Sequence, residues 1–290
     1  MRFTHIIKSM RPHQYTKNLF IFLPVFFALK ITNTELLINA ILAFVAFSLS
    51  ASTIYILNDY RDIEDDKQHP KKKYRPLAAG DISKNNAITL MIALGISGAA
   101  LMSLVSLQAI IILGIYILLN LAYSFYLKQV AILDVSLIAT GFVLRLFVGS
   151  SATDTPLSMW IVVMTFLLAL FLALAKRRDD VIIYNESGEK MRSVIDGYNL
   201  KFLDAAMAIM ASVVIVSYIL YTTSTEIIHK LHSEYLYLTS IFVILGILRY
   251  LQIALVEKNS GSPSRIVIKD KFMQITIFFW LLSFVWILYL

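Results

Sequence analysis

Residues 58–66 read NDYRDIEDD and stand at the end of a long apolar run, directly before a basic stretch. On a helix with about 100° between successive residues, Asp59, Asp62 and Asp66 fall within about 60° of one another, with Asn58 beside them. Carboxylates on one helical face repel each other unless a cation lies among them. Oxygen ligands suit Mg²⁺, which takes one or two carboxylates and bridges to substrate phosphates. We therefore predict that these four residues bind Mg²⁺ and that the three aspartates are catalytic.

The basic stretch that follows reads HPKKKYRP at residues 69–76. Lys72, Lys73 and Arg75 are candidates for binding the phosphates of a substrate, since Arg can bind such oxygens through two parallel hydrogen bonds. The alternative is a solvated acidic helix end followed by an ordinary basic loop. We favour the binding site, because charges on a purely solvated face have no reason to share one stripe.

The composition indicates a polytopic membrane protein. Of the 290 residues, 58% are hydrophobic and 16% are charged, with a mean hydropathy of +0.73, whereas soluble domains have about 45–50% apolar and about 25% charged residues. There is no cysteine, which excludes disulfides, thiolate zinc sites and cysteine nucleophiles. No linker composition divides the chain, so we expect residues 1–290 to form a single integral-membrane domain. The basic N-terminus has no cleavage site, and we expect it to be retained.

Nine apolar runs are long enough, or nearly so, to cross about 30 Å of hydrocarbon. They cover residues 19–32, 36–57, 86–106, 109–127, 132–151, 157–175, 203–222, 235–255 and 271–290. The first run is the weakest, because Pro24 interrupts it and Lys30 closes it. The sequence therefore predicts an all-α membrane bundle of about nine transmembrane helices.

The basic residues are distributed unevenly between the two sides of this predicted bundle. One set of connections carries 22 of the 26 Lys and Arg residues: 1–18, 58–85, 128–131, 176–202 and 256–271. The positive-inside rule places that side, with the N-terminus, in the cytoplasm. The two large polar loops share it, so we expect an active-site cavity open to the cytoplasm in a bacterial-type inner (plasma) membrane. The net charge of +7 is thereby explained as membrane anchoring, and no nucleic-acid partner is expected.

These motifs resemble the UbiA-type polyprenyltransferase superfamily, intramembrane enzymes of nine helices with NDxxDxxxD after the second. Within it, the chain is most similar to the decaprenyl-phosphate phosphoribosyltransferase branch. RPHQYTKN at residues 11–18 resembles the RPxQWxKN opening of that branch, and HPKKKYRPLAAG at residues 69–80 resembles its HPxKxxRPxAAG. Leu133-Asp134, GFVLR at residues 141–145 and AKR at residues 175–177 continue the likeness.

Two departures from the superfamily bear on function. Prenyl-diphosphate users usually carry a second DxxxD motif after the sixth helix, and this chain has none. The branch usually has KRxxE at that place, whereas here Asp180 stands where Glu is expected. The shorter carboxylate leaves its role open, and Asp179 could share it.

The resemblance implies a Mg²⁺-dependent transfer of phosphoribose from 5-phosphoribosyl diphosphate to a polyprenyl phosphate, with release of diphosphate. The lipid phosphate is already anionic, so no general base is required. Further candidates for substrate binding are charged or polar residues at predicted helix ends or inside a run: Lys17, Asn18, Tyr123, Lys128, Asp134, Arg145, Lys176, Arg177, Asp180 and Tyr198.

Each of these candidates also has a simpler interpretation. Lys128, Lys176 and Arg177 could be ordinary cytoplasmic anchors, and Tyr123 could belong to an aromatic belt. Arg145 is eleven residues, or three helical turns, after Asp134. Ionisable residues inside a span are functional candidates by default, yet Arg145 could equally form an interhelical pair.

Two other functions compete with the phosphoribosyltransferase. The first is an aromatic or quinone prenyltransferase on the same scaffold, whose aspartates would bind the diphosphate of the lipid; the missing DxxxD argues against it. The second is a non-catalytic lipid or solute transporter, which would need paired helix breaks at the midplane. Proline is nearly absent from the runs, so the transporter is the weaker rival.

Overall fold

The structure is a computed structural model that describes residues 3–68, 72–188, 193–231, 233–257 and 263–289. In these residues all regular elements are helical, which confirms the all-α class. The α-helices are α1 (Phe3–Met10), α2 (Leu23–Phe27), α3 (Thr34–Arg61), α4 (Ile63–Gln68), α5 (Lys84–Val105), α6 (Leu107–Phe125), α7 (Leu133–Thr153), α8 (Met159–Ser187), α9 (Leu200–Thr223), α10 (Thr225–Leu231), α11 (Ser240–Leu255), α12 (Pro263–Lys269) and α13 (Lys271–Tyr289).

Several connections between these helices are 3₁₀ helices. They span Pro12–Phe22, Lys72–Tyr74, Leu127–Gln129, Ser193–Gly197 and Tyr235–Thr239. The first is eleven residues long, whereas 3₁₀ helices rarely exceed three or four residues because their hydrogen bonds are poorly aligned. Tertiary contacts must therefore hold this segment in its extended form.

Seven helices are long and apolar enough to cross a membrane, judged over the residues that the structure describes. They are α3, α5, α6, α7, α8, α9 and the segment Tyr235–Leu255, which joins a 3₁₀ turn to α11. Each coincides with one of the predicted apolar runs, so a multi-pass membrane protein is confirmed. The last predicted run is α13, whose apolar part, Lys271–Ile287, is shorter. The cytoplasmic orientation of the N-terminus stays a prediction.

The first predicted span, residues 19–32, does not form a continuous helix. The chain is 3₁₀ up to Phe22, and the α-helix that follows has only five residues. Pro24 has no N–H to donate to a preceding carbonyl, so an α-helix can begin there but cannot run through it. Leu29 then adopts a left-handed conformation with φ 58° and ends the element. The predicted count of nine spanning helices is not reproduced in the described residues.

The chain divides into two compact units. The first contains the described residues up to Tyr126 together with Gly141–Leu157, and the second contains Leu127–Thr140 and the described residues from Ser158 onward. The boundary falls within α7, so this helix contributes to both units. The expectation of a single domain stays a prediction.

In the first unit α3 is the central helix. It packs against α1, α5, α6 and the 3₁₀ helix Pro12–Phe22. Small residues allow the close approach to α5: a Cβ added at Gly98 would lie 2.8 Å from the carbonyl oxygen of Ala46. Ala43 and Ser50, which like Ala46 belong to α3, are also buried. Such small-residue contacts are typical of membrane helices, whose association depends on close packing.

In the second unit α8 packs against α9, α9 against α11, and α11 against α13. Phe171, Leu203 and Met207 are fully buried between these helices. This packing fixes the part of α8 that carries Lys176 and Arg177.

The long 3₁₀ segment is held against the second half of α7 at one glycine. A Cβ added at Gly149 would overlap the carbonyl oxygen of Ile21 and would lie 2.8 Å from its carbonyl carbon. Backbone atoms cannot move aside as a flexible side chain can. Glycine at position 149 is therefore required by the approach of the two backbones.

We predict that Gly149→Ala lowers the Tm of the detergent-solubilised protein, because the new methyl group forces the segment away from α7; overpacking costs about 1–3 kcal/mol. Gly114→Ala is the matched control, since no atom lies within 4 Å of its added Cβ, and Ala is the better helix former by about 1 kcal/mol. Equal Tm values for the two variants would contradict the close approach.

Candidate active site

The predicted aspartate stripe lies where α3 gives way to α4. Asp62 caps the end of α3 with φ −93° and ψ 18°, so the stripe is not on one uninterrupted helix. The i to i−4 hydrogen bonds nevertheless continue, from Asp62 N–H to Asn58 O at 3.0 Å and from Asp66 N–H to Asp62 O at 2.8 Å. Ile63 is buried in a core with Leu77, which anchors the start of α4. The helical spacing of the aspartates is thus preserved across the break.

Asp59 and Asp66 come together around one arginine. Their exposed fractions are 2% and 1%. Arg75 Nη1 donates to Asp59 Oδ1 at 3.0 Å and to Asp66 Oδ2 at 2.6 Å. A single guanidinium nitrogen therefore bridges the two carboxylates and neutralises part of their charge. We call these two carboxylates the aspartate pair.

One oxygen of the aspartate pair lacks a hydrogen-bond partner in the described residues. Asp66 Oδ1 is buried and accepts no hydrogen bond from these residues, and Lys72 Nζ lies 4.0 Å from it. An unsatisfied buried carboxylate oxygen is costly. This atom is therefore the clearest candidate for a ligand to an additional cation.

The predicted four-residue metal site is only partly assembled. Of the side chains that the structure describes, no group of three or more His, Cys, Asp or Glu is placed to hold a metal ion. Asp62 and Asn58, the other two predicted ligands, are half-buried. They are close to the aspartate pair in the sequence. Arg11 and Arg75 already occupy Asp59 Oδ1, and Arg75 also occupies one oxygen of Asp66.

Arg11 is the second arginine on Asp59, and it was not among the predicted site residues. Its Nη2 donates to Asp59 Oδ1, and its guanidinium lies 5.5 Å from the centre of the Tyr55 ring. Arg11 has a left-handed backbone with φ 54°, which is uncommon outside glycine. The signal available in the sequence was its position as the first residue of the RPHQYTKN motif.

Ser52 and Ser48 of α3 fix the chain on both sides of Arg11. Ser52 Oγ lies 2.8 Å from the Tyr15 hydroxyl and donates to Met10 O at 3.0 Å. Asn18 is 1% exposed and donates from Nδ2 to Ser48 Oγ at 2.9 Å. Two residues of α3 thus hold the 3₁₀ segment, and Asp59 holds Arg11 just before it.

Arg145 is buried within α7, with 4% of its surface exposed. Its Nε donates to Asn18 Oδ1 at 2.9 Å, its Nη1 to Gly141 O at 2.6 Å and its Nη2 to the Tyr116 hydroxyl at 3.2 Å. The rings of Phe47, Tyr116 and Phe142 lie 5.0–5.3 Å from its guanidinium. No carboxylate of the described residues pairs with it, so neutral oxygens and aromatic faces stabilise this charge.

The second unit contains a separate ionic network, formed by Asp134, Arg177, Asp180 and Tyr198. Arg177 Nε donates to Asp134 Oδ2, and Arg177 Nη1 donates to Asp180 Oδ2 at 2.9 Å. The side chain of Arg177 is 1% exposed and that of Asp134 is not exposed. Four of the predicted site residues are therefore in mutual contact, in an arrangement that we call the Arg177 network.

Tyr198 closes this network. Its hydroxyl donates to Asp134 Oδ1 at 2.6 Å and accepts from the Ile132 N–H at 2.7 Å. Burial and the bond to the Asp134 carboxylate raise the pKa of Tyr198 above its ordinary range, so the phenol stays protonated. Ile132 has a left-handed φ of 71°, a strained conformation for a β-branched residue, and the tyrosine hydroxyl holds it.

The remaining predicted site residues differ in their exposure. Lys17, Tyr123, Lys128 and Lys176 are half-buried. Lys73 is exposed and its Nζ lies 5.3 Å from the centre of the neighbouring Tyr74 ring. The motif residues His69, Pro70 and Lys71, and the basic residues Lys190 and Arg192, lie outside the described residues.

An all-α bundle with membrane-length helices and buried, charge-paired aspartates defines the class as a multi-pass membrane protein with a polar site. The profile of the UbiA prenyltransferase family matches residues 19–282. The chain belongs to this family. It is accordingly a UbiA-type membrane transferase.

Two relatives with similar sequences carry the name of the branch that the sequence motifs resemble. The chain is 30% identical to the decaprenyl-phosphate phosphoribosyltransferase of Mycolicibacterium smegmatis, covering 95% of this chain and 90% of the relative. It is 29% identical to the decaprenyl-phosphate phosphoribosyltransferase of Corynebacterium glutamicum, over 98% and 87% of the two chains. Among solved structures, a UbiA homolog from Archaeoglobus fulgidus bound to GPP and Mg²⁺ superposes with a TM-score of 0.71 at 20% identity, covering 98% of this chain and 99% of the other.

We predict that Tyr198→Phe lowers the Tm measured in detergent. The change removes one hydroxyl and leaves the Ile132 amide and one Asp134 oxygen without that partner, at about 1–3 kcal/mol for each unsatisfied group. Tyr184→Phe is the control, because Tyr184 is exposed on α8 and surface changes usually stay within about 0.5 kcal/mol. A Tyr198→Phe protein as stable as the control would show that the hydroxyl does not hold the network.

Proposed function

We propose that this protein transfers the 5-phosphoribosyl group of 5-phosphoribosyl diphosphate to a polyprenyl phosphate of the decaprenyl type and releases diphosphate. The near-full-length similarity to two decaprenyl-phosphate phosphoribosyltransferases, at 30% and 29% identity, supports this substrate pair. The observation that carries the proposal is the buried aspartate pair next to Arg75 and Lys72. Carboxylates for a cation and basic side chains for phosphates are the two parts that a metal-bound diphosphate requires.

The donor atoms of the aspartate pair fit a Mg²⁺ ion. All are oxygens, and Asp66 Oδ1 is a buried carboxylate oxygen without a hydrogen bond from the described residues. We assign Asp59 and Asp66, with Asp62 and Asn58, as the residues that would hold the ion. Mg²⁺ bound there would neutralise negative charge on the departing diphosphate. The Mg²⁺ named with the Archaeoglobus fulgidus homolog is consistent with this assignment.

The basic residues of the first unit have the task of binding phosphate oxygens. Arg75 is half-buried beside the aspartate pair and can take a phosphate through two parallel hydrogen bonds. Lys72 lies close enough to Asp66 to contact the same ligand. Lys73 is exposed on the same 3₁₀ turn and would meet the outer phosphates. Together they orient the leaving group.

The reaction itself is a substitution at C1 of the ribose. The bond from C1 to the diphosphate oxygen breaks, and the electron pair leaves with the diphosphate. An oxygen of the lipid phosphate forms the new bond to C1. Because that oxygen is already anionic, no side chain has to remove a proton.

We assign the Arg177 network a positioning role toward the lipid phosphate. Arg177 itself is paired with two carboxylates, and Lys176 beside it is the more exposed of the two cations. Lys17 and Lys128 are further half-buried candidates for the lipid phosphate, while Tyr123 is a candidate for the prenyl chain. Each assignment follows from charge, polarity and exposure.

We place the reaction at the cytoplasmic face of a bacterial-type plasma membrane. The support is the distribution of charge, since 22 of the 26 Lys and Arg residues lie in connections on one predicted side. The named relatives are bacterial.

A second candidate function is prenyl transfer from a prenyl diphosphate, with the aspartates binding the diphosphate of the lipid. The specific observation in its favour is the shared fold with the homolog bound to GPP and Mg²⁺, at a TM-score of 0.71. Against it stands the missing second DxxxD motif. A binding experiment separates the two functions.

We predict that 5-phosphoribosyl diphosphate with Mg²⁺ raises the Tm of the purified protein without any lipid. A ligand that binds only the native state stabilises it by about 2.7 kcal/mol at a hundredfold excess over its dissociation constant. Geranyl diphosphate with Mg²⁺ is the comparison ligand. Stabilisation by geranyl diphosphate and none by the sugar diphosphate would replace the phosphoribosyl donor with a prenyl donor.

We predict that Asp62→Asn and Asp66→Asn each abolish transfer of radiolabelled phosphoribose to a polyprenyl phosphate, because an amide is a neutral and weaker ligand for Mg²⁺. Asp65→Asn should retain activity, since Asp65 is exposed and lies outside the stripe. Size-exclusion chromatography checks that all three variants remain folded. Near-wild-type turnover by either stripe variant at saturating Mg²⁺ would remove the metal site.

A further inference from the structure

The aspartate pair already holds a cation, and that cation is a side chain. Arg75 Nη1 lies 3.0 Å from Asp59 Oδ1 and 2.6 Å from Asp66 Oδ2. A Mg²⁺ ion shared by both carboxylates must approach each oxygen to about 2.0–2.1 Å. The nitrogen and the ion would then occupy the same space between the two oxygens. They cannot both bridge the pair through these two oxygens.

We propose that Arg75 is the resident counter-cation of the aspartate pair and that a divalent metal bridging both carboxylates displaces it. This inference rests on the proposed metal site but not on the identity of the donor substrate. Arg75 therefore has two alternative partners, the carboxylates before the metal binds and the phosphates of the ligand afterwards. Metal binding and diphosphate binding are thereby coupled through one side chain.

The exchange requires the side chain of Arg75 to move while its backbone stays in place. Arg75 N–H donates to Lys72 O at 2.9 Å and Arg75 O accepts from Ala79 N–H at 2.8 Å. Leu77 and Ile82, which follow it, are buried in the core that also contains the start of α4. The side chain itself keeps 27% exposure. A fixed backbone with a partly exposed guanidinium is suited to switching between two nearby anions.

Arg11 also contacts Asp59, but unlike Arg75 it does not lie between the two carboxylates. It has no ion pair with Asp66 in the described residues, so it neutralises one carboxylate without bridging the pair. Asp59 therefore keeps a counter-charge when Arg75 leaves. The carboxylate that gains most from the metal is Asp66, whose Oδ1 has no hydrogen bond from the described residues.

The first test is a metal titration without any substrate. Free Mn²⁺ is followed by its EPR signal during titration of the wild-type protein, Arg75→Gln and Lys73→Gln, with Mg²⁺ as competitor. Removal of a competing cation should lower the dissociation constant of Arg75→Gln by about tenfold, the scale of one charge-assisted hydrogen bond. Lys73→Gln removes the same charge from an exposed neighbour and should change the constant by less than about twofold.

The proposal is overturned if Arg75→Gln binds Mn²⁺ no more tightly than the wild type, or if Lys73→Gln tightens binding equally. The two buried carboxylates of Arg75→Gln repel each other, so this variant is purified with Mg²⁺ and exchanged before titration. If it does not survive exchange, Arg75→Lys replaces it. A lysine keeps the charge but lacks the planar fork, and it should bind Mn²⁺ more tightly than the wild type; weaker binding contradicts the exchange.

The second test measures the coupling with inorganic diphosphate as the probe. Diphosphate should tighten Mn²⁺ binding by the wild-type protein more than by Arg75→Gln, because only the wild type has an arginine to transfer, and the coupling must be reciprocal. Equal tightening in both proteins would overturn the proposed transfer. Neither test contains a sugar or a lipid, so a failure here is distinct from a failure of the phosphoribosyl donor in the stabilisation experiment.

Discussion

A charge carried by a membrane helix must find its partner inside the protein, because hydrocarbon offers none. This constraint organises the functional residues of the chain. Asp59 is neutralised by arginines that come from segments before and after its helix. Asp134 is matched by Arg177 and a tyrosine hydroxyl. Arg145 contacts neutral oxygens and aromatic rings in place of a carboxylate. Each of these three sets of contacts fixes a different part of the chain.

Much of the fold could be predicted from hydropathy alone, since the thickness of a bilayer sets the length of a spanning helix. Seven predicted runs coincide with membrane-length helices for this reason. The run at residues 19–32 could not be assigned in this way, because hydropathy does not report hydrogen-bond geometry. Its proline and its left-handed Leu29 break the α-helix, while its apolar side chains satisfy the same hydropathy average.

The candidate site was predictable where it depends on local spacing and unpredictable where it depends on tertiary contacts. The stripe of aspartates survives a break in the helix, because the i to i−4 bonds continue through Asp62. One partner of Asp59, Arg11, lies 48 residues away in the sequence, a separation over which helical periodicity carries no information. The four-ligand metal site was predicted without its competitor, Arg75, because a sequence motif lists side chains but not their contacts. The ligand set and the catalytic roles therefore stay predictions.

The 3₁₀ helix at Pro12–Phe22 fixes a distance as well as a set of contacts. A 3₁₀ helix advances about 2.0 Å per residue and an α-helix about 1.5 Å, so its eleven residues extend roughly 22 Å. Its two ends are anchored, by Arg11 on Asp59 and by the carbonyl of Ile21 at Gly149. Rewinding the segment as an α-helix would shorten it by about 5 Å and detach one anchor. Insertion or deletion of a single residue would change the length by about 2.0 Å and shift one anchor relative to the other, so this segment tolerates changes of side chain more readily than changes of length.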